Sequence, residues 1–322
     1  MKTTLSLLSV AVAAGLAASA CGQDAGQPNS SAPAQTTTSE RMPIIDMHMH
    51  AYDAISLPDG TPIPVPCMPE PCQGTAAAAK SSDAILQLTL QQMDKYHVVR
   101  GFLSSDNLSN LDKWVKAAPD RFLPSPLIWE PGKPGPEILR GEYTKKRLSG
   151  LGEIATQYNG FAPNDPKLEP YFALAEELDL PVLIHTLGIG AHLPGFRTGS
   201  GNPLFLESVL VRHPKLRLYV EDAGFPFLSE MVAMMYQYPQ LYADLSTITW
   251  IIPRDTFHEY LRGLVRAGVG NRLMFGSDQM QWPETIGRGI EAIEAADFLT
   301  AEQRRDIFYN NAARFLRLEG SK

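Results

Sequence analysis

The chain has 322 residues, of which 44% are apolar, 20% charged and 9% aromatic, and its formal charge is −7. That much apolar side chain can bury a sizeable core, which excludes wholesale disorder, and a mean hydropathy of −0.13 excludes a bundle of membrane spans. The acidic balance, with no basic block beyond the triplet Lys145, Lys146 and Arg147, argues against nucleic acid as a partner.

Residues 1–21 have the make-up of a secretory signal: Lys2, then the apolar run Leu5 to Ala18, too short and too rich in small residues for a stable membrane span. Its end, Ala18-Ser19-Ala20-Cys21, allows cleavage after the small triplet or a bacterial lipobox with Cys21 lipidated. The second reading is preferred, so the protein is expected to be exported to the periplasm or cell surface and to meet the membrane only through a lipid anchor. Residues 22–41 are rich in Gln, Ser, Thr, Pro and Ala and read as a flexible tether. Export also places Cys67 and Cys72, five apart, where a small disulfide is favoured over a zinc pair.

Residues 42–318 alternate short apolar or β-branched runs with stretches at helical spacing. The runs are Ile44 to Met49, Val98 to Leu103, Phe122 to Trp129, Leu151 to Ala155, Val182 to Thr186, Leu216 to Glu221, Leu241 to Ser246 and Leu273 to Asp278. Between them, Leu168, Tyr171, Phe172, Ala175 and Leu178 form one helical stripe, and Phe257, Tyr260, Leu261, Leu264 and Val265 another. Asp83, Asp165 and Asp255 are expected as N-caps, and Gly268 and Gly270 as a helix end. Eight βα units over this span fit an α/β fold of the closed (β/α)8 type, which typically needs about 250 residues. An open doubly wound sheet would place a Gly-rich loop after its first strand, where this chain has His-x-His. A loop insertion at about 51–82, carrying both cysteines, is expected over the carboxyl face as a lid.

A barrel puts its chemistry at the carboxyl ends of its strands. The first run ends in Asp46-Met47-His48-Met49-His50, and strand alternation points His48 and His50 the same way, toward one ion, with Asp46 deeper on that face. The later runs end at Glu153, His185, Glu221-Asp222, Asp244 and Asp278. Unpaired, such polar groups would cost roughly 2–7 kcal/mol each in an apolar strand, so their convergence suggests a shared cation. Gly276-Ser277-Asp278 lacks the nucleophile-elbow pattern, so a Ser-His-Asp reading is not favoured.

In these pieces the chain resembles the amidohydrolase superfamily, in the branch that includes aminocarboxymuconate-semialdehyde decarboxylase, resorcylate-type decarboxylases and small lactone or amide hydrolases. The matching strings are Ile45 to His50, Pro181 to His185, His213 to Leu216, Met274 to Asp278, and Tyr309 to Leu316. The resemblance implies that His48, His50, His185 and Asp278 hold one divalent metal, zinc or alternatively manganese, which acidifies a bound water. It makes Asp278 the proton acceptor. Glu153 either joins the ligands or orients His185.

The branch usually carries a histidine after strand six, where this chain has Asp222 in Glu221-Asp222-Ala223-Gly224-Phe225-Pro226. Asp222 is left as an extra ligand, a replacement base or a structural carboxylate capping the next helix around Phe227, and His192 as an alternative acid/base; His213 reads as structural at the barrel bottom. Arg197, Trp250, Arg254 and Trp282 are the candidate substrate contacts, an arginine gripping a carboxylate and a tryptophan walling off water. The expected activity is metal-dependent hydrolysis of an amide, lactone or ester carbonyl in a small molecule. The alternatives are a non-oxidative decarboxylase or other lyase on the same site, and a binding protein that lost its strand-six histidine.

Overall fold

The computed structural model describes residues 42–70, 72, 78–190 and 193–318. The signal and lipobox segment with Cys21, the tether, and His192 lie outside the described residues.

The described residues form eight strands: β1 (Ile44–His50), β2 (Val98–Ser105), β3 (Phe122–Pro126), β4 (Leu151–Ile154), β5 (Pro181–Ile184), β6 (Arg217–Val220), β7 (Leu241–Asp244) and β8 (Leu273–Met274). They pair in parallel, in sequence order, as β1 to β3 and β4 to β8. The two groups join on both sides. Ile128 N–H donates to Glu153 O at 2.8 Å and Ala155 N–H to Ile128 O at 2.9 Å, while Met47 N–H donates to Phe275 O and Asp278 N–H to His48 O, both at 2.8 Å. The strands thus close into the expected ring.

β3 to β8 all stop short of the runs that the sequence suggests, β3 and β8 by the most. β3 stops at Pro126, because Pro124 and Pro126 remove ladder donors. β8 spans two residues, since the next amides leave the ladder: Phe275 N–H donates to Ile307 O, Ser277 N–H to an Asp46 carboxylate oxygen at 2.9 Å, and Asp278 N–H to His48 O.

Helices cover the ring by burying the expected stripes. Phe257, Tyr260, Leu261 and Leu264 of helix Arg254–Arg266 are buried, at roughly 1.5–3 kcal/mol for each large apolar side chain. Helix Glu169–Glu177 buries Tyr171, Phe172 and Ala175, and Leu168 packs just before it, but Leu178 falls past the last turn and is exposed. Of the three expected N-caps, Asp165 accepts from Lys167 N–H at 2.9 Å, ahead of Pro166. Asp83 and Asp255 sit instead in the first turn, where a negative charge still suits the helix dipole; the caps are Ser81 and Pro253.

A second apolar cluster fills the ring itself: Ile45 and Met47 of β1 with Phe102, Leu183, Tyr219 and Met274, closed off by Ala312, Ala313 and Phe315 of helix Asn311–Leu316. With one end plugged, the polar strand ends gather at the other.

Candidate metal centre

β1 does not alternate evenly. Its register against β2 shifts between Asp46 and Met49, so that Ile45 and Met47 pack into the ring, Met49 packs into the outer core, and His48 and His50 converge. Asp46 therefore does not sit beneath the histidines as expected; it ties β1 to the β8 segment by accepting from His48 N–H at 3.1 Å and Ser277 N–H at 2.9 Å. Burial pushes its carboxyl up to about 7, against the pull of Ser277 and His48.

The Nε2 atoms of His48 and His50 lie 3.1 Å apart. One Glu153 oxygen is 3.5 Å from the first and 3.4 Å from the second, and Asp278 Oδ1 is 2.9 Å from His50 Nε2 and 3.8 Å from His48 Nε2. The other Glu153 oxygen is 2.9 Å from His185 Nδ1, which also meets Glu221. Three overlapping donor groups result: His48, His50 and Glu153; His48, Glu221 and Asp278; and Glu153, His185 and Glu221. His185 thus enters through Glu153 and Glu221 and shares no donor group with Asp278, which departs from the single set expected.

Local structure explains how Glu153 arrives there. Gly152 has φ +115, and a Cβ on it would stand 2.2 Å from Leu183 O, so only glycine lets β4 press against β5 at this point. Glu153 N–H is then fixed by Ser104 Oγ at 3.0 Å.

His48 is oriented from behind. Ser246 donates its hydroxyl to Asp244, so His48 Nδ1–H donates to Ser246 Oγ at 2.9 Å, and Nε2 turns its lone pair toward the other donors. Asp278 is held by Thr247 O–H on Oδ2 at 2.6 Å, leaving Oδ1 buried without a hydrogen bond. His50 Nδ1 and His185 Nε2 are also buried without partners. Tyr52 stacks on the His50 ring at 4.4 Å and Tyr158 tilts over His185 at 4.6 Å.

Electrostatics agree. Asp46, Glu153, Glu221, Asp222, Asp244 and Asp278 are buried beside three imidazoles, and no lysine or arginine of the described residues is buried to that degree. Burial works against a charged His48, but Asp278, Asp244 and Glu153 outweigh it and hold the imidazole well above its ordinary value. Burial pushes Glu153 up, but His185 and His48 prevail and hold it well below the usual carboxylate range. Asp278 is also held down, by His48 and His50 against its burial, whereas burial and then the charge on Glu153 push Glu221 well up. The centre attracts positive charge. Imidazole and carboxylate donors with unmet lone pairs are the chemistry a divalent ion requires, and the residues fit one.

Asp222 joins none of the three donor groups and does not cap the helix after Phe227; it adopts φ 53, is buried, and accepts from Ile248 N–H at 2.9 Å, in the first turn of the short helix Ile248–Ile251. Glu221 enters the centre instead. The signal was available in the alternation: Leu183 and Tyr219 point into the ring, so His185 and Glu221, two residues on, continue the same face.

A cavity of about 210 Å³ opens above the centre, walled by His50, Glu153, Glu221, Asp278, Tyr52 and Tyr158 and roofed by Pro66 and Met68 of the insertion. The insertion is pinned there by Met68 N–H on Ile251 O at 2.6 Å and by the Trp282 indole on Ile63 O at 2.9 Å; Cys67 and Cys72 form the expected disulfide. Trp282 lines the cavity, and Trp250 packs edge-on against it with its indole on Ser277 O, outside the lining. The two arginines are elsewhere: Arg197 donates to Pro194 O and Phe196 O, Arg254 donates to Glu291 O, and both are exposed. His213 bridges Glu169 and Glu176 away from the centre, as expected of a structural residue.

Comparison with known proteins bears on the fold and the family. A curated relative, protein fluG of Emericella nidulans, is 26% identical over 106 residues, 33% of this chain; the match spans 12% of that protein. Among solved structures, an uncharacterized TIM-barrel protein from Bordetella bronchiseptica superposes with a TM-score of 0.62 at 17% identity, over 86% of this chain and 99% of that one. A probable 2-pyrone-4,6-dicarboxylic acid hydrolase from Acinetobacter baumannii, with citric acid bound, gives 0.58 at 14% identity over 86% and 100%. The 5-carboxyvanillate decarboxylase of Novosphingobium aromaticivorans, complexed with manganese and a nitrobenzoic acid, gives 0.53 at 15% identity over 71% and 79%. A family model described as Amidohydrolase matches residues 45–318, and the chain belongs to the amidohydrolase family.

Proposed function

We propose that the protein is a metal-dependent hydrolase acting on an amide, lactone or ester carbonyl of a small molecule. The observation that carries this reading is the buried surplus of carboxylates around His48, His50 and His185, with no lysine or arginine among the described residues buried beside them. His48, His50, Glu153 and Asp278 would hold the ion, with His185 and Glu221 beside it through Glu153. When bound, a divalent ion supplies Lewis acidity toward the carbonyl and lowers the pKa of water. Zinc suits the donors, and manganese, present in one similar fold, is the alternative.

The chain's own part follows from its geometry. Asp278 presents Oδ1 as the proton acceptor, because Thr247 fixes Oδ2. Asp244 and Ser246 keep the His48 lone pair aimed at the centre. Met68, Ile251 and Trp282 exclude bulk water from above. The competing reading, decarboxylation, is favoured by the likeness in fold to a decarboxylase.

Incubating the protein with a panel of esters, lactones, amides and aromatic acids in ¹⁸O-labelled water tests the choice. Label in the product acid, and loss of about 10²–10⁴-fold in rate for Asp278→Asn with smaller loss of metal, supports hydrolysis. Carbon dioxide release without label from an aromatic acid overturns it. We also propose export with a lipid on Cys21; Cys21→Ser should move the protein from the membrane fraction to the soluble fraction.

A further inference from the structure

The wall of the cavity above the centre has few groups that can donate to a substrate. With a divalent ion bound, its acids Glu153, Glu221 and Asp278 are drawn to the ion, so the side-chain N–H and O–H groups decide which other oxygens of a substrate are met. Most of these are committed. The Trp129 indole donates to Asp106 at 3.2 Å, the Trp282 indole to Ile63 O at 2.9 Å and the Thr247 hydroxyl to Asp278 at 2.6 Å, while His50 Nδ1 is sealed from the cavity. Tyr52 and Tyr158 remain: their hydroxyls make no hydrogen bond among the described residues, and neither is sealed.

Both phenols are placed by strands that carry the centre. Tyr52 continues the every-second-residue series of His48 and His50, and the intervening Ala51 is still tied to β2, by its N–H on Ser104 O at 2.9 Å and by Ser105 O–H on its carbonyl at 2.8 Å. The Tyr52 ring then lies flat on His50, 4.4 Å away and 8° from parallel. Tyr158 sits in the short helix Thr156–Asn159 after β4, where Gln157 anchors the turn by donating its amide to Leu187 O at 2.9 Å. Trp129 at 5.6 Å and Phe196 at 5.5 Å hold the Tyr158 ring against His185. The Tyr52 hydroxyl is within electrostatic reach of Glu153, Asp278 and Tyr158, and the Tyr158 hydroxyl within reach of Glu221, Glu153 and Asp278, so both phenols sit over the donor groups.

We propose that Tyr52 and Tyr158 are the substrate donors of this site, each giving its O–H to an oxygen on the reacting carbon that the ion does not hold. The nature of that carbon rests on the hydrolytic reading above; the identity of the donors rests on the wall. When water adds to an acyl carbon, its proton goes to Asp278 and the carbonyl electron pair to oxygen, so the carbon then carries two oxygens, one of them charged. In an otherwise apolar wall an oxygen without a donor loses the hydrogen bonds it had in solution, and a donor placed in advance favours the charged stage most. A phenol is protonated at neutral pH and donates without adding charge. Glu221 and Asp222 stand where the resemblance expects a histidine after β6, and the phenols supply the missing donor from beyond β1 and β4.

Tyr52→Phe and Tyr158→Phe keep each ring and remove only the hydroxyl. Calorimetric titration with methylphosphonate, which carries three oxygens on one tetrahedral atom, measures what is lost, on protein with its metal as isolated. Each variant is expected to bind methylphosphonate about tenfold or more weakly than wild type. Each should keep its metal by elemental analysis and melt within about 2 °C of wild type, since the hydroxyl has no partner in the fold. Binding to wild type should also produce a near-ultraviolet tyrosine difference spectrum that each variant diminishes. Unchanged affinity in either variant, or no binding or no tyrosine signal in wild type, overturns the proposal. So does loss of metal, which would make the phenol a ligand, or a larger fall in melting temperature, which would make it structural. Turnover of the ester panel is followed in parallel, and each variant should lose about 10²-fold or more in kcat. A wild type that hydrolyses no ester while the binding results hold removes the hydrolytic reading alone, and hydrolysis with unaltered methylphosphonate binding in the variants removes this one alone.

Discussion

Replacing Gly152 by alanine should damage both the fold and the centre, because Glu153 reaches its three imidazoles only where the preceding residue has no side chain. The added Cβ would lie 2.2 Å from Leu183 O, 3.0 Å from Leu183 C and 3.1 Å from Leu183 N, all backbone atoms of the neighbouring strand. Relief requires β4 to move by about 1 Å, an overpacking cost of about 1–3 kcal/mol. Holding alanine at φ +115 adds about 1–3 kcal/mol. The entropy removed from the unfolded chain returns only about 0.4–1 kcal/mol. The net loss of about 1–6 kcal/mol, at roughly 2–4 °C per kcal/mol, lowers the melting temperature by about 2–24 °C. Differential scanning calorimetry reads the first effect and elemental analysis of the same sample the second, a loss of bound metal as Glu153 is displaced. An unchanged melting temperature would refute the packing argument, and a lowered one with full metal content would refute the positioning of Glu153.

Asp244→Asn weakens the relay through Ser246 and should lower metal affinity about 10- to 100-fold with the circular dichroism spectrum unchanged, measured by competition with a chelator; equal affinity removes the relay. On the outer surface, Glu169 is held below its ordinary value of 4.5 chiefly by Arg212, and Glu176, despite its partial burial, by Lys215 N–H and His213. Folded values below the unfolded ones give stability that is present above the ordinary carboxylate range and lost as pH falls through the folded values. A Glu169→Gln, Glu176→Gln double variant should therefore lose urea resistance less steeply than wild type between about pH 5 and pH 3, and parallel curves would show that these pairs contribute nothing.

The ring of strands was legible because strand and helix periods differ sharply in this chain, as in the buried stripe Phe257, Tyr260, Leu261 and Leu264. His48, His50 and Asp278 were legible because residue type and strand-end position both singled them out. The family motif points to Asp222, whereas the alternation Tyr219 to Glu221 carries the geometry. Even alternation in β1 predicts Asp46 beneath the histidines, and the register shift against β2 that removes it from there is a tertiary feature with no local signature. Arg197 and Arg254 follow β5 and β7 in the chain, but nothing in a loop's sequence shows that its arginine satisfies nearby carbonyls and not a substrate.

Elemental analysis of gently purified wild-type protein beside His48→Ala tests the central claim most directly. The account predicts about one divalent ion per chain in the wild type and almost none in the variant, with the wild type melting at lower temperature after chelation and recovering on adding zinc or manganese. A wild type that carries no stoichiometric cation and gains neither stability nor activity from one, or a His48→Ala protein that retains it, would contradict the account.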